Sequence, residues 1–144
     1  MTSDSAEDWH EAPPANDFTR RFGPLQRKWA GGRWVYAMRV DEGHRNEAGL
    51  MHGGAMTALI DEVVGTIVSE TVGRRHVTLQ LSTTFLKLVR VGDLVEPSCE
   101  IVKVTGSMTF VEARLRVAGD VVATASLIFK TVRAPAESGD TQPS

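Results

Sequence analysis

The sequence predicts an α+β domain in which one antiparallel sheet packs against one long helix. Between Met56 and Ile67, apolar residues recur at the three- and four-residue spacing of a buried helical stripe. Much of the remaining chain consists of segments rich in Thr, Val, Leu and Phe, separated by short turns, as is typical of strands. A sheet and a helix that each have an apolar face bury those faces against each other, which explains this layered arrangement.

Glycine-containing turns divide the chain into its predicted elements. A short helix is expected to start at Asn16 or Asp17, which can cap it, and to end before Gly23-Pro24. Turns are predicted at Gly31-Gly32, Gly92-Asp93, Thr105-Gly106 and Gly119-Asp120. The predicted strands cover residues 33–40, 76–88, 94–104, 108–117 and 121–132.

Length and composition indicate a single domain. We expect residues 15–133 to form it, with mobile tails at residues 1–14 and 134–144, which are polar and contain proline. The single cysteine, Cys99, allows no intramolecular disulfide and is consistent with a cytoplasmic protein. Neither a secretory start nor an apolar run of about 18 residues is present, so no membrane association is expected. A net charge of −2 gives no reason to expect a nucleic-acid partner.

The entrance to the long helix, His52-Gly53-Gly54, is a candidate binding site. Two residues without side chains let the backbone come close to a ligand. The N-terminus of a helix also presents unpaired N–H groups and the positive end of the helix dipole. These features stabilise an oxygen that gains negative charge, so the Gly53 N–H is a candidate oxyanion donor. A simpler interpretation, compatible with this one, is that the glycines permit the turn into the helix.

Asp61 interrupts the expected pattern of the long helix. At 100° per residue from Met56, the apolar stripe centres at about 10°, whereas Asp61 lies at about 140°. Its neighbours on the helix surface are small: Gly54, Thr57, Ala58 and Gly65. We therefore expect the helix to pack on more than one side, with Asp61 at a contact surface. The carboxylate could act as a nucleophile or as a general base, the alternative being an ordinary surface aspartate.

These residues resemble a known family. The pattern Asn46-x-x-Gly49-x-x-His52-Gly53-Gly54, followed by Asp61, is similar to the hotdog-fold acyl-CoA thioesterases of the phenylacetic-acid-degradation, or PaaI-like, branch. The resemblance continues through Val77–Lys87 and Val91–Asp93 and covers roughly residues 33–132. It departs where Leu88 and Val91 replace prolines that family members usually carry. The resemblance implies a hotdog fold, in which an antiparallel sheet of about five to six strands wraps around one long central helix.

The resemblance also implies roles for individual residues. Asn46 matches the position that holds the substrate carbonyl or the attacking water, although it is otherwise an ordinary turn residue. Thr78 matches a Ser or Thr that positions water, although a threonine on a strand needs no functional explanation. His52 would orient the loop or touch the thioester, and Gly54 would lie against the substrate. A histidine before a helix is more often structural.

Four basic residues are candidates for binding the phosphates of coenzyme A: Arg74, Arg75, Lys87 and Arg90. The alternative for each is a solvated charge near a strand end. The histidines and Cys99 show no metal-ligand spacing, and neither a phosphate-binding loop nor a nucleophile elbow is present. We therefore expect no metal and no cofactor, coenzyme A being part of the substrate.

The spacing of Gly53 and Asp61 predicts a dimer. Eight residues on one helix separate them by roughly 12 Å along its axis. A thioester carbonyl must lie about 3 Å from both the oxyanion donor and the attacking group or its water. Two antiparallel helices related by a two-fold axis bring each Gly53 to the other chain's Asp61 and so form two sites. The resemblance implies the same arrangement, usually as a dimer of dimers.

The predicted function is therefore the hydrolysis of an acyl-CoA thioester to the free acid and CoA. The alternative is a non-catalytic hotdog module that binds acyl-CoA as a sensor or carrier. Asp61 favours the enzyme, because a binding module needs no carboxylate there. Phenylacetyl-like, hydroxybenzoyl-like and medium-chain acyl groups all remain open.

Overall fold

The computed structural model describes residues 8–133. A 3₁₀ turn at Glu42–His44 lies in the loop before the long helix. In chain order the elements are β1 (His10–Glu11), α1 (Asp17–Phe22), β2 (Gln26–Ala30), β3 (Arg33–Arg39), α2 (Gly53–Val72), β4 (His76–Phe85), β5 (Leu94–Val104), β6 (Met108–Val117) and β7 (Asp120–Thr131).

The strands form one antiparallel sheet in the order β1-β2-β3-β5-β6-β7-β4. This confirms the predicted sheet and all five predicted strands, although β4 ends at Phe85 rather than at Leu88. The sheet has more strands than predicted, because β1 and β2 were not recognised. Neither has the alternation or the β-branched residues that mark a strand, and β2 forms through its turn at Gly31-Gly32 and its ladder with β3.

The predicted N-terminal tail is too long. His10 and Glu11 pair with Arg27 and Gln26 of β2, and the buried Ala12 donates its N–H to the carbonyl of Leu25 at 2.8 Å. Backbone pairing with a sheet edge, which side-chain composition does not reveal, places these residues on the domain. The other predicted tail segments, residues 1–7 and 134–144, lie outside the described residues.

Helix α2 packs its predicted apolar stripe against the sheet. Its buried residues are Met56, Leu59, Ile60, Val63, Val64 and Val68. They share one core with inward-facing sheet residues such as Leu115, Leu127 and Phe129. Within residues 8–133, no helix combines the length and apolarity needed to cross a membrane.

A second side of α2 lies along β4, and the two elements run antiparallel. Near the start of the helix, Thr57 Oγ1 donates to Thr83 Oγ1 at 3.4 Å. Near its end, Ser69 Oγ lies 3.3 Å from Nδ1 of His76. Strand β4 pairs with β7 on one edge only, so it is the last strand of the sheet. The predicted packing of α2 on more than one side is therefore correct.

Helix α2 ends at Val72 and is followed by the C-cap residue Gly73, whose φ of 73° provides a test of this boundary. A Cβ there would meet nothing within 4 Å, so a Gly73→Ala substitution changes the backbone energy without a clash. We expect it to lower the free energy of unfolding by roughly 1–2 kcal/mol, measured by urea denaturation. The matched control is Gly106→Ala, which is equally open but does not have a positive φ. Equal effects of the two substitutions would contradict a left-handed cap at Gly73.

Candidate active site

At the entrance to α2, one backbone donor remains open. His52 Nδ1 accepts from the Gly54 N–H at 2.8 Å, which makes His52 the N-cap. The carbonyl of His52 accepts from the N–H groups of Ala55 and Met56, at 2.9 and 3.1 Å. In the described part of the chain, the Gly53 N–H has no acceptor. The helix N-terminus therefore presents this single N–H to a ligand.

Close contacts, rather than unusual backbone angles, explain the two glycines. Neither Gly53 nor Gly54 has a positive φ, so the turn itself does not require them. A Cβ on Gly53 would lie 3.1 Å from Cζ of Phe85, and a Cβ on Gly54 would lie 2.9 Å from Nδ1 of His52. The phenylalanine ring and the cap thus occupy the space that larger residues would need.

Asn46 shapes the loop that precedes this entrance. Its Oδ1 accepts from the N–H groups of Ala48 and Leu50, at 2.9 and 3.1 Å. Gly49, at a φ of 81°, donates its N–H to the carbonyl of Asn46. No hydrogen bond from within residues 8–133 involves the Asn46 amide nitrogen, so that donor can reach a ligand.

A pocket of about 290 Å³ lies beside the helix entrance. It brings together Asn46, Gly53 and Lys87, three of the predicted site residues. The rest of its lining is apolar and consists of Leu50, Met51, Met56, Phe85, Leu86, Leu88 and Val89. Asp61 and Thr78 do not line this pocket.

Asp61 is half-buried on the side of α2 that faces β4. Thr78 Oγ1 donates to Asp61 Oδ1 at 2.7 Å, and among the described residues nothing donates to Oδ2. The hydroxyl proton of Thr78 therefore orients the carboxylate, while the second carboxylate oxygen stays available for a proton or a reacting atom. Thr78 and Asp61 come together within one chain.

One chain does not bring the open N–H to this carboxylate. Asn46, His52 and Gly53 surround the start of α2, whereas Asp61 and Thr78 lie two helical turns further along, roughly 12 Å from Gly53 along the axis. Each group of residues is ordered by its own hydrogen bonds. A site that uses both groups needs a second chain.

The four predicted basic residues divide between the two ends of β4. Lys87 and Arg90 follow the strand near the Gly53 end, and Arg74 and Arg75 precede it near the far end of α2. Lys87 Nζ lies 2.6 Å from Oδ2 of Asp120, and this hydrogen bond raises the pKa of Lys87 and lowers that of Asp120. Both side chains are exposed, so this ion pair is weak enough for a phosphate to replace it.

The histidines and acidic residues do not form a metal centre within residues 8–133. The buried His44 uses both ring nitrogens: Nδ1 accepts from the Asp41 N–H at 3.0 Å, and Nε2 donates to the carbonyl of Phe22 at 2.6 Å. His44 therefore joins α1 to the loop that carries Asn46.

Sequence reasoning did not identify a second groove at this entrance. The groove has a volume of about 370 Å³ and is bounded by α1 on one side and the start of α2 on the other. We call it the α1 groove; it is lined by Phe18, Phe22, Gly43, His44, Arg45, His52, Gly54, Ala55 and Ala58. The sequence feature that relates to this groove is the aromatic residue Phe18, and a single exposed aromatic residue is not enough to predict a groove.

Comparison with known proteins identifies relatives that match more than half of the chain. The family model of the Thioesterase superfamily matches residues 48–124. A Pseudomonas aeruginosa protein provisionally named esterase PA0474 is 35% identical over 105 residues, which are 72% of this chain and 78% of that protein. A Caenorhabditis elegans protein provisionally named esterase F42H10.6 is 31% identical over 83 residues, 57% of this chain and 49% of that protein.

Solved structures share the fold. A mutant of the phenylacetic acid degradation protein PaaI from Thermus thermophilus has a TM-score of 0.71 at 24% identity, covering 81% of this chain and 100% of that one. A hypothetical thioesterase from Streptococcus pneumoniae, solved with coenzyme A, has a TM-score of 0.66 at 24% identity, covering 72% and 83%. The protein smu.793 from Streptococcus mutans, bound to acetyl CoA, has a TM-score of 0.66 at 25% identity, covering 71% and 82%. The predicted hotdog fold is confirmed.

The cap at the helix entrance predicts how His52 responds to substitution. His52→Ala removes the acceptor of the Gly54 N–H and should lower the free energy of unfolding by about 1 kcal/mol. His52→Asn supplies another capping oxygen and should stay within about 0.5 kcal/mol of the parent. Urea denaturation of the two variants measures both values. Equal losses for Ala and Asn would show that the cap does not stabilise α2.

Proposed function

The chain belongs to the thioesterase superfamily, and from this premise we propose that it is an acyl-CoA thioesterase that forms the free acid and CoA. The observation that carries the proposal is a pair of groups suited to this chemistry: the open N–H of Gly53 and the carboxylate of Asp61 held by Thr78. The coenzyme A and acetyl CoA bound by the two streptococcal relatives support a CoA-type substrate. The alternative, a non-catalytic module that binds acyl-CoA, does not explain why a carboxylate is held at Asp61.

The Gly53 N–H would stabilise the oxyanion. Attack on the thioester carbon turns the carbonyl oxygen into an anion, which accepts a hydrogen bond from this N–H at the positive end of α2. Asn46 lines the same pocket, and its amide nitrogen could donate to the carbonyl or hold the attacking water. His52 acts through its cap, which fixes where the Gly53 N–H points.

Asp61 would supply the base or the nucleophile. As a base, its free oxygen takes a proton from water while the water oxygen bonds to the carbonyl carbon, and the tetrahedral intermediate then expels the CoA thiolate, which takes up a proton. As a nucleophile, the carboxylate attacks the thioester carbon and expels the CoA thiolate, which takes up a proton. Water then hydrolyses the resulting mixed anhydride to the free acid and restores the carboxylate. Thr78 holds the carboxylate in one orientation on either route.

The edge strand β4 is the surface on which a second chain would pair. Among residues 8–133, no strand pairs with the outer side of its ten residues. Val77 and Leu79, both on this strand, are about half exposed, at 48% and 52%. A long edge with exposed apolar residues favours addition of another strand, and a second copy of β4 provides one around a two-fold axis.

This pairing would also assemble the catalytic groups. Within one chain, Phe85 at one end of β4 packs on Gly53, and Thr78 at the other end binds Asp61. Antiparallel pairing of two β4 strands lays the Phe85 end of each beside the Thr78 end of the other. Each Gly53 then faces the other chain's Asp61, and the dimer has two equivalent sites. The family resemblance extends this arrangement to a dimer of dimers.

The same pairing would bring the basic residues together. Lys87 and Arg90 of one chain lie at the end of β4 that meets Arg74 and Arg75 of the other chain. Phosphates of coenzyme A bound there would meet cations from both chains. The Lys87 side chain would exchange its ion pair with Asp120 for the phosphate.

Hydrolysis of a panel of CoA thioesters tests the proposed function. The panel includes acetyl, hexanoyl and phenylacetyl esters, and thiol release is followed with a chromogenic reagent. We expect turnover of at least one ester at a rate typical of enzymes, roughly 1 s⁻¹ or faster. Binding of acyl-CoA without turnover would favour the carrier or sensor function instead.

Asp61→Ala and Asp61→Asn should each lower kcat by at least about 100-fold, because both remove the base or nucleophile. The asparagine variant can still accept from Thr78, so it separates loss of charge from loss of the hydrogen bond. Glu100→Gln, a change at an exposed carboxylate on β5, is the matched control and should leave kcat unchanged. Near-normal turnover by folded Asp61→Asn would exclude the catalytic role.

Gly53→Pro should lower kcat by roughly 100-fold, because proline has no N–H to offer the oxyanion. Gly53→Ala is the steric control, since its Cβ meets the ring of Phe85 as the proline Cβ would, yet it keeps the N–H. The difference in kcat between the two folded variants measures the donor alone. Equal kcat values for Pro and Ala would mean that the N–H does not bind the oxyanion.

A further inference from the structure

Helix α1 is fastened beside the entrance to α2 at both of its ends. At its start, Asn16 Nδ2 donates to Glu62 Oε1 of α2 at 2.9 Å. At its end, the carbonyl of Phe22 accepts from Nε2 of His44 at 2.6 Å. The Thioesterase superfamily model begins at residue 48, so α1 lies outside the matched part of the chain. These contacts hold α1 at a defined place next to the proposed site.

The position of α1 exposes an aromatic surface. The rings of Phe18 and Phe22 stack with centroids 5.2 Å apart and an interplanar angle of 18°. Phe18 is 54% exposed, whereas Thr19 is buried and Phe22 is half-buried against the core. The ring of Phe18 is therefore not what attaches α1 to the domain. An exposed phenylalanine face next to a groove is suited to contact with an apolar ligand.

The α1 groove connects this aromatic surface to the proposed oxyanion donor. Its floor is formed by small residues of α2, Gly54, Ala55 and Ala58, and its wall by Phe18 and Phe22. The floor starts next to Gly53, whose N–H is open. A group attached to a carbonyl held by that N–H can lie along the floor with its apolar side against the wall.

We propose that the α1 groove holds the acyl group of the thioester, and that Phe18 and Phe22 determine which acyl groups are accepted. This inference rests on the proposed thioesterase function. The pantetheine arm and phosphates belong on the other side of Gly53, where the pocket contains Asn46 and Lys87. Asn46 and Lys87 offer hydrogen bonds and charge to the amides and phosphates. The floor and aromatic wall of the α1 groove offer apolar contacts to a hydrocarbon, although His44, Arg45 and His52 also line this groove.

The length of the floor sets which acyl groups reach the wall. Gly53 and Ala58 are separated by roughly 7.5 Å along the axis of α2. On this proposal, an acetyl group would end at the start of the floor, whereas a medium-length chain or a single ring would extend along it toward Phe18. The contact between the acyl group and Phe18 is the same in the bound substrate and in the transition state. Its loss should therefore raise KM and leave kcat nearly unchanged.

The test compares Phe18→Ala with the parent on acetyl-, hexanoyl- and phenylacetyl-CoA. We expect KM for the hexanoyl and phenylacetyl esters to rise roughly three- to ten-fold, and KM for the acetyl ester to change less than about two-fold. A larger effect on the phenylacetyl ester would identify a ring as the preferred occupant, and a larger effect on the hexanoyl ester a chain. Two controls are Arg21→Ala, on α1 but outside the groove, and Trp29→Ala, an equally exposed aromatic on β2.

Three results would overturn the inference while leaving the proposed function standing. One is unchanged KM for all three esters. Another is an equal rise for all three, which would place Phe18 on the pantetheine arm or only in the fold. The third is a change in the oligomeric mass of Phe18→Ala, measured by analytical ultracentrifugation, together with an equal loss of activity toward every ester. This result would show that a second copy of the chain fills the groove. If the parent turned over none of the esters, the proposed function itself would be refuted. The groove would then be tested by calorimetry, in which we expect Phe18→Ala to bind hexanoyl-CoA more weakly than the parent does.

Discussion

The contact between α2 and the edge strand β4 determines the geometry of the proposed site. One row of helix residues, spaced four apart, lies along this strand and makes each successive contact. The pairs are Gly53 with Phe85, Thr57 with Thr83, Asp61 with Thr78, and Gly65 with His76. All four helix residues are small or short, so the helix can approach the strand closely. The other side of α2 remains free to carry the apolar stripe that anchors it in the core.

This contact explains why the proposed chemistry requires two chains. It places Gly53 against Phe85 and Asp61 against Thr78, but leaves the open N–H and the carboxylate about two helical turns apart. It also leaves the outer edge of β4 uncovered and partly apolar. In the proposed dimer, an antiparallel second copy would pair with the strand edge and join the two half-sites in one step, so assembly and catalysis would depend on the same surface.

Periodicity and turn chemistry predicted the main part of the fold. The apolar stripe of α2 and the strands from β3 onward follow directly from residue spacing and glycine turns. Strands β1 and β2 could not be predicted in the same way, because they form by backbone pairing at a sheet edge and their side chains carry no alternating pattern. The sequence also could not show that Phe85 occupies the space above Gly53, because this contact joins residues 32 positions apart.

The sequence also predicts only part of the candidate site. The spacing of Gly53 and Asp61 on one helix predicts that they cannot act on one carbonyl within a chain, and the structure keeps them apart as expected. The hydrogen bond from Thr78 to Asp61 links two elements and is not predicted by the sequence, because the family resemblance implies only that Thr78 positions water. The α1 groove depends on where α1 docks, which follows from the contacts of Asn16 and His44 rather than from any local pattern.

Complementation between two inactive variants tests the shared site most directly. Gly53→Pro and Asp61→Ala chains are unfolded and refolded together, and differently tagged chains verify that mixed dimers form. Random pairing makes about half of the dimers mixed, and each mixed dimer has one site in which an intact Gly53 faces an intact Asp61. Activity should therefore return to about a quarter of the parent value, while each variant refolded alone stays inactive. Verified mixed dimers without activity would contradict a site shared between chains.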